Sequence, residues 1–278
     1  MEELNEMKLS NIDVTVCTYN SAKFLKPCLA SIKRNIPVKT IWVVDNHSTD
    51  DTVKIAESFG VTVVKTKGSL AESRQLSFSL VETPVFVNVD SDVVLSDDWF
   101  NNVARFLSPD VGACWGVALN MNPIQHCHYQ QAMYSFKSPS SYNLIVLGNM
   151  LCRKVAVDGI EFPKQYKHGA VTGEDYYIKK FIEKKGFKTL TVPIFVKHYC
   201  NPSPLGCKTF WMGAGTRLSE RKGITVLLKQ VFLSVPQAGF VVAKSHDVLV
   251  FPYWIRYRFE EVYGWLHWDK YFNFRRPA

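Results

Sequence analysis

The fold class is decided by residues 13–65, which read DVTVCTYNSAKFLKPCLASIKRNIPVKTIWVVDNHSTDDTVKIAESFGVTVVK. Three short β-branched runs, DVTVCT, TIWVV and VTVVK, alternate with amphipathic stretches at 21–34 and 50–59. This alternation predicts a βαβαβ unit. Because the strands are apolar throughout, we expect helices to cover both faces of their sheet. The sequence therefore predicts an α/β fold with a mostly parallel, Rossmann-like central sheet flanked by helices.

The rest of the chain extends this pattern and then departs from it. A helix is expected at 69–80, a strand at 84–89, a helix at 98–107, a strand at 111–119, a strand-like run at 143–153, a loop at 158–173, a helix from 174 to about 185 and a strand at 190–198. Composition changes beyond Asn201. We therefore predict a tail (1–11), one domain (12–200, with halves at 12–95 and 96–200) and a C-terminal extension (201–278).

Composition limits the class of protein. The 278 residues are 47% hydrophobic and 13% aromatic, enough for a full core, which excludes a disordered or fibrous chain. Residues 1–100 carry 10 basic and 14 acidic side chains, so the net charge of +8 arises in the remainder. That asymmetry favours an anionic partner such as a diphosphate, a membrane surface or nucleic acid, and a solvated basic face is the alternative.

Targeting signals and cysteines indicate the compartment. The N-terminus, MEELNEMKLS, lacks the basic and apolar regions of a signal peptide, so we do not expect export. The seven cysteines are scattered and form no C-x-x-C pair, which is typical of reduced thiols in the cytoplasm. No spanning helix is expected, because the apolar stretch at 223–243 is interrupted by Lys229, Gln230, Pro236 and Gln237.

Polar residues follow the predicted strands. Ligands of open parallel sheets bind at the carboxyl ends of the strands. The residues found there are Thr18, Tyr19 and Asn20; Asp45, Asn46 and His47; Asp90, Ser91 and Asp92; and His198. Each alone could be an ordinary turn former, but together they indicate a metal and nucleotide site.

The most informative of these groups is Asp90-Ser91-Asp92, a D-x-D at the end of an apolar strand. Its alternate residues could direct one carboxylate toward a ribose and the other toward a cation. A hard divalent cation prefers oxygen ligands and would link the second carboxylate to a diphosphate.

These motifs resemble family 2 glycosyltransferases of the GT-A fold. The matching series runs over roughly residues 12–198: VTVCTYNSAKFLKPCLASI, VVDNHSTDDT, Ser73-Arg74-Gln75, NVDSDV, TGEDYYIKKFIEKKGFKTLTVP and His198. The sequence departs from the family at Cys17, usually Pro, at Asn46-His47, commonly Asp and Gly, and at Gln75, usually Asn.

The resemblance implies roles for individual residues. Tyr19, Asn20 and Ser91 would join Thr18 and Asp45 around the donor nucleotide, where Asp45 would accept an N–H of the base. Arg74 would close the pocket or neutralise phosphate charge, and Asp90 would hold the ribose. Asp92 and His198 would bind Mn²⁺ or Mg²⁺, which stabilises the departing nucleoside diphosphate.

The resemblance also implies a general base within Glu174-Asp175, with Asp175 assigned the role. It would deprotonate an acceptor hydroxyl that attacks the anomeric carbon opposite the diphosphate, giving inversion. By themselves, two acidic residues at a helix start are more often caps that complement the helix dipole.

The C-terminal segment 245–278 contains eleven aromatic residues among basic ones, notably Arg256, Arg258, Arg275 and Arg276. This composition is typical of a segment at an anionic membrane surface. An aromatic helix packed on its own domain or on a second subunit of a homo-oligomer is an equally good interpretation. No nucleic acid partner is expected, since no known binding motif accompanies the aromatics.

The sequence therefore predicts an inverting glycosyltransferase, peripheral on the cytoplasmic face of the membrane. It would transfer a sugar from a nucleotide-sugar, with a UDP-sugar favoured, to a hydroxyl of a glycan or lipid-linked glycan. The alternatives are a nucleotidyltransferase acting on sugar phosphates, which would release pyrophosphate, and a non-catalytic, membrane-associated sugar-nucleotide-binding protein.

Overall fold

An eight-stranded sheet is the central feature of the computed structural model, which describes residues 9–121, 147–167, 173–199, 207–218 and 222–271. The strands are β1 (Ile12–Thr18), β2 (Val38–Asp45), β3 (Thr62–Lys65), β4 (Val85–Val89), β5 (Val93–Val94), β6 (Val111–Asn120), β7 (Asn149–Arg153) and β8 (Lys188–His198). Their spatial order is β3-β2-β1-β4-β7-β6-β8-β5.

The N-terminal part of the sheet is parallel, as predicted. Strand β1 lies between β2 and β4, and β2 pairs with β3, all in parallel. Beyond β4 the sheet is mixed, because β7 runs antiparallel to both β4 and β6, whereas β6 and β8 are parallel. The short β5 pairs antiparallel with β8. The predicted α/β class is confirmed, and the mixed pairing is confined to the second half.

The helices, in chain order, are α1 (Ala22–Asn35), α2 (Thr52–Ser58), α3 (Leu70–Leu80), α4 (Trp99–Ala104), α5 (Lys154–Val157), α6 (Glu174–Lys184), α7 (Cys207–Leu218), α8 (Ile224–Ser245), α9 (Val250–Leu266) and α10 (Trp268–Tyr271). Local sequence explains the start of α3. In α3, the side chain of Ser69 accepts from the Glu72 amide while the Glu72 carboxylate accepts from the Ser69 amide, a capping box.

The structure differs from the predicted elements in three places. The helix expected at 98–107 shortens to α4, since Asp98 has a left-handed backbone (φ 56°) and the chain turns after Ala104. The two-residue β5 is too short to show an alternation pattern. A 3₁₀ turn at Lys164–Lys167 lies inside the predicted loop. Residues 122–146 lie outside the described residues, so the strand-like run at 143–153 is observed only as β7.

Two apolar clusters lie on opposite faces of the sheet. Val85, Val87 and Val89 of β4 belong to the cluster that also contains the apolar face of α1. Phe86, between them, belongs to the second cluster, which includes Phe78 of α3 and Ile178 of α6. This alternation confirms that helices cover both faces of the sheet.

The C-terminal helices pack on one another. Helices α7 and α9 cross closely at Gly213 and Gly264, where a Cβ atom would overlap the carbonyls of Glu261 and Phe210 respectively. Ala238 and Val241 of α8 pack in one cluster with aromatic residues of α9. That cluster includes Tyr253, Trp254 and Tyr257, so these three aromatics of the segment predicted to bind membrane are instead buried. The predicted domain boundaries stay predictions.

Candidate active site

The turn after β2 is organised around Asp45. Thr18 lies opposite Asp45 in the β1–β2 register, and its Oγ1 donates to Asp45 Oδ1 over 2.9 Å. Ser48 donates its hydroxyl to the same oxygen (2.5 Å) and its amide to Oδ2 (3.0 Å). Asp45 is completely buried. Its carboxylate therefore builds the turn rather than facing solvent.

The residues that follow β1 lie beside this turn at the same edge of the sheet, which is called the rim below. The amide of Asn20 donates to Ser48 Oγ (2.9 Å), and Tyr19 is 47% exposed. The hydroxyls of Ser21 and Ser91 lie 2.8 Å apart, which joins the end of β1 to the end of β4. Tyr19 and Ser91 thus border one surface, as the sequence predicted for a donor site.

Arg74 connects two groups of predicted site residues. It projects from α3, and its side chain is only 4% exposed. Its Nη2 lies 3.0 Å from Asp90 Oδ1 and 3.8 Å from Glu174 Oε1, and its Nη1 lies 3.6 Å from Asp175 Oδ1. The buried guanidinium group of Arg74 therefore contacts both the D-x-D motif and the acidic pair Glu174-Asp175.

Electrostatics keep this arginine charged. Burial lowers the pKa of Arg74, but the carboxylates of Asp90, Asp175 and Glu174 outweigh burial and raise the pKa above its ordinary value. In nearby Cys17, by contrast, burial is the dominant influence on the pKa. Burial raises the pKa of its thiol to about 12, against the opposing influence of Arg74, so the thiol stays neutral.

The two members of the acidic pair differ in access. Glu174 has a side chain only 10% exposed, whereas that of Asp175 is 34% exposed. Both lie in the first turn of α6. The residue before them, Gly173, has a positive φ of 104°, which glycine adopts without steric cost. Of the two carboxylates, Asp175 is therefore the more accessible to solvent.

Asp92 and His198 form a separate pair at the edge of the sheet. Asp92 Oδ2 lies 3.3 Å from His198 Nε2, and both side chains are about one quarter exposed. Pairing of β5 with β8, together with the bond from the Tyr199 amide to Asp92 O (2.8 Å), places them side by side. Within the described part of the chain, no three His, Cys, Asp or Glu side chains are grouped to hold a metal ion.

A divalent cation fits this pair as part of a larger ligand set. A carboxylate oxygen and an imidazole nitrogen on one accessible rim can bind the same first-row cation, with remaining positions open to phosphate oxygens or water. The structure thus brings together the two residues that the sequence predicted as metal ligands.

Two contacts at or near the site were not predicted. Gly148 approaches Asp90 so closely that a Cβ atom at 148 would lie 2.7 Å from Asp90 Oδ2, and Gly148 O accepts from the Asp90 amide (3.0 Å). Gln75 Oε1 accepts from the Phe162 amide (3.2 Å), which ties α3 to the segment after α5. A glycine inside an apolar strand-like run is the available signal for the first. His126-Cys127-His128, whose metal-capable side chains could belong to an acceptor-side loop or to ordinary packing, lies outside the described residues.

Comparison with protein families identifies the N-terminal part of the chain. Residues 13–143 match the family described as glycosyl transferase family 2, which confirms the resemblance over that range. Protein RfbJ from Shigella flexneri is 39% identical over 84 residues. The match covers 30% of this chain and 64% of RfbJ, so the chain spans less than two thirds of that relative.

Solved structures with the same fold are more distant in sequence. The mannosyltransferase PcManGT from Pyrobaculum calidifontis, in complex with GDP-Man and Mn²⁺, superimposes with a TM-score of 0.65 at 17% identity, over 94% of this chain and 88% of its own. The glucosyl-3-phosphoglycerate synthase from Mycobacterium tuberculosis, with Mn²⁺, UDP and glucosyl-3-phosphoglycerate, gives 0.55 at 16% identity, over 76% and 79%. These likenesses confirm the predicted GT-A fold class.

Proposed function

We propose that this chain, which carries a glycosyl transferase family 2 domain over residues 13–143, is an inverting glycosyltransferase. It would transfer a sugar from a nucleotide-sugar to a hydroxyl of a glycan or lipid-linked glycan. The observation that carries the proposal is the contact of buried Arg74 with Asp90 on one side and Asp175 on the other. The carboxylate that would bind the donor and the accessible carboxylate that would act as base thereby contact one guanidinium group, which would hold them in a fixed arrangement around the reacting carbon.

The donor nucleotide would bind along the rim after β1 and β4. The exposed ring of Tyr19 would stack on the base, while Asn20 and Ser91 would contact its polar atoms and the sugar. Thr18 and Asp45 would shape the pocket from beneath, because Asp45 is buried and its carboxylate already accepts three hydrogen bonds. We retain a UDP-sugar as the favoured donor and a GDP-sugar as its competitor, since the two structural neighbours described above hold GDP-Man and UDP.

A divalent metal, Mn²⁺ or Mg²⁺, would be held by Asp92 and His198. When bound, it would supply positive charge to the departing diphosphate. This role suits the rim position of the pair, whose accessible atoms can accept a third partner from the donor. Asp90, held by Arg74 at 3.0 Å, would remain available for the ribose.

Asp175 would act as the general base. Its carboxylate would take the proton of the acceptor hydroxyl as that oxygen forms a bond to the anomeric carbon. The bond between that carbon and the diphosphate oxygen breaks on the opposite face, so the configuration inverts. Arg74 Nη1, 3.6 Å from Asp175 Oδ1, would orient the carboxylate, and buried Glu174 would help to hold the arginine.

A panel of nucleotide-sugars tests the proposal. Purified protein is heated with UDP-, GDP- and other nucleotide-sugars in Mn²⁺ or Mg²⁺, because a ligand present at about 100 times its dissociation constant adds about 2.7 kcal/mol of stability. Donors that stabilise are then incubated with glycan and lipid-linked acceptors, and the anomeric configuration of the product is determined by NMR. Release of a nucleoside diphosphate with inversion is expected.

Two results would contradict the proposal. Release of pyrophosphate would identify a nucleotidyltransferase. Stabilisation by nucleotide-sugars without turnover on any acceptor, and without slow hydrolysis of the donor, would favour a binding protein.

A further inference from the structure

Helix α8 presents an apolar face to solvent. Its inner face, with Leu227, Ser234, Ala238 and Val241, is buried. Its outer face carries Leu228, Phe232 and Val235 at i, i+4 and i+7, and beside them Val226, Leu233 and Phe240 at seven-residue spacing, all of them at least 40% exposed. Phe232, at 82% exposure, is the most exposed of these side chains. Scattered apolar residues on a surface are ordinary, but a contiguous helix face of this kind indicates a binding surface.

The apolar face continues beyond the end of the helix. Val248 and Leu249, in the turn between α8 and α9, are 70% and 59% exposed, and Phe251 follows them at the start of α9. The outer face of α8 and this turn are called the α8 surface below.

Charges at the α8 surface are mostly basic. The charged residues of the segment 222–252 are Lys222, Lys229, Lys244 and Asp247, and Lys229 and Lys244 are exposed on α8. The two glutamates of α9 are withdrawn from the surface, since Glu260 pairs with Arg256 and Glu261 with Lys222 and Arg258. By helical periodicity, Lys229 lies between Phe232 and Leu233 on the outer face. A lysine beside apolar side chains can bury its stem while its ammonium group reaches anionic headgroups.

We propose that the α8 surface docks on an anionic lipid bilayer, with α8 lying in the interface. The bound helix would bury Phe232 and its neighbours among the acyl chains, while Lys229 and Lys244 would contact the headgroups. Because Tyr253, Trp254 and Tyr257 are buried, the proposal places the main contact on α8 and the turn that follows it rather than on these three aromatic residues.

A second copy of the chain is a less suitable occupant. In a two-fold dimer the same patch would face itself, so Lys229 and Lys244 of both copies would be brought together without acidic partners on α8. An anionic bilayer neutralises these charges.

A spanning position is also disfavoured. By length and composition, helix α8 is long and apolar enough to cross a bilayer, so its polar interruptions do not exclude a span. Of its most apolar stretch of 18 residues, 22% is buried. However, α8 packs against α9, which carries Arg256, Arg258, Glu260 and Glu261. Carrying these charges into hydrocarbon costs about 2.5–3.5 kcal/mol for each Arg on insertion scales.

Co-sedimentation of the full chain with phosphatidylcholine vesicles, with and without phosphatidylglycerol, tests the proposal. Binding is expected to require phosphatidylglycerol and to weaken as salt rises. Phe232→Glu is expected to lower partitioning about tenfold or more, because it removes a large apolar group that would be buried in the bound bilayer. Val155→Glu, at an exposed apolar position on α5, is the matched control and should bind like the parent. Circular dichroism verifies folding, and Val235→Glu replaces Phe232→Glu if that variant misfolds.

The charge component is measured separately. The double variant Lys229→Gln, Lys244→Gln should reduce binding at low salt and flatten its salt dependence. The matched control is the double variant Lys26→Gln, Lys184→Gln, at exposed positions of α1 and α6, which should bind like the parent. Absence of binding at low salt, or equal binding by Phe232→Glu and the parent, would overturn the proposal. So would a parent dimer that Phe232→Glu converts to a monomer, or retention on vesicles after alkaline carbonate extraction, which would indicate a spanning helix.

Discussion

Asp45 and Asp90 stand at the ends of the two strands that flank β1, yet their environments are opposite. Asp45 is wholly buried, and its partners are the neutral donors Thr18 and Ser48. Asp90 has a side chain 35% exposed, and its partner is the charged Arg74, which also contacts Glu174 and Asp175. Two carboxylates that look alike in the sequence thus have different surroundings.

The two environments differ in how freely the carboxylates can exchange partners. Hydrogen bonds from neutral groups that are themselves held in a turn leave Asp45 little freedom to exchange partners. Around Arg74, by contrast, one cation is shared by three carboxylates at 3.0 to 3.8 Å, and its Nε and Nη1 donate no hydrogen bond within the described residues. On the proposed function, this cluster is the one that would rearrange when a donor and a metal bring new charges.

The largest effect is expected from the accessible end of this cluster. Asp175→Asn should lower kcat by about two to four orders of magnitude and leave donor affinity nearly unchanged, since a general base acts in the transition state. Steady-state kinetics and calorimetry of UDP binding measure the two quantities. Glu174→Gln is the matched control. A large loss of kcat in Glu174→Gln with a small loss in Asp175→Asn would assign the general base to Glu174 instead.

Arg74 is expected to contribute to stability as well as to position. Arg74→Met should destabilise the protein by about 3 kcal/mol, the lower end for breaking a buried ion pair, because Asp90 and Asp175 are each one third exposed and can be solvated. Urea denaturation measures the loss. Arg74→Lys, which keeps the charge, should lose less, and wild-type stability in Arg74→Met would show that the cluster does not depend on the arginine.

Asp45→Asn should cost about 1–3 kcal/mol, because the amide group that replaces one carboxylate oxygen leaves a buried donor facing another donor. The loss appears in urea denaturation, and donor affinity at low temperature should change little. Ser48→Ala, which removes one of the three donors, is the milder comparison. Unchanged stability with weakened UDP binding would instead make Asp45 a residue that contacts the base, as the sequence resemblance implied.

The smallest effect extends the comparison to a third carboxylate, the buried Glu261 of α9. Burial raises its pKa, but Lys222 (3.0 Å) and Arg258 (2.6 Å) outweigh burial, so the pKa lies below its ordinary value. A carboxylate with a lowered pKa in the folded state stabilises the fold above its unfolded pKa of about 4.3, and this stabilisation is lost as the pH falls through the folded pKa. Melting temperatures between pH 6 and pH 3 should therefore fall less steeply in Glu261→Gln than in the parent. Equal slopes would contradict the assignment.

Much of the fold and part of the site follow from local pattern. The β-branched runs and helical periodicity of residues 13–89 predicted β1 to β4 and α1 to α3 in order, because burial on both faces of a sheet imposes such patterns on a short window of sequence. The position of polar residues after those runs also predicted which side chains would lie at one edge.

Local pattern did not contain the contacts that distinguish these side chains. The antiparallel entry of β7, the approach of Gly148 to Asp90 and the meeting of Arg74 with Asp175 join residues far apart in the chain. The same is true of the α8–α9 packing, which buries Tyr253 and leaves Phe232 exposed.

By itself, the sequence determined the elements of residues 13–89, the family resemblance and the set of candidate residues. Only the tertiary structure decided which carboxylate is buried in a turn, which shares an arginine and which helix face remains open. Burial and pairing depend on distances between distant segments, and those distances exist only after the chain has folded.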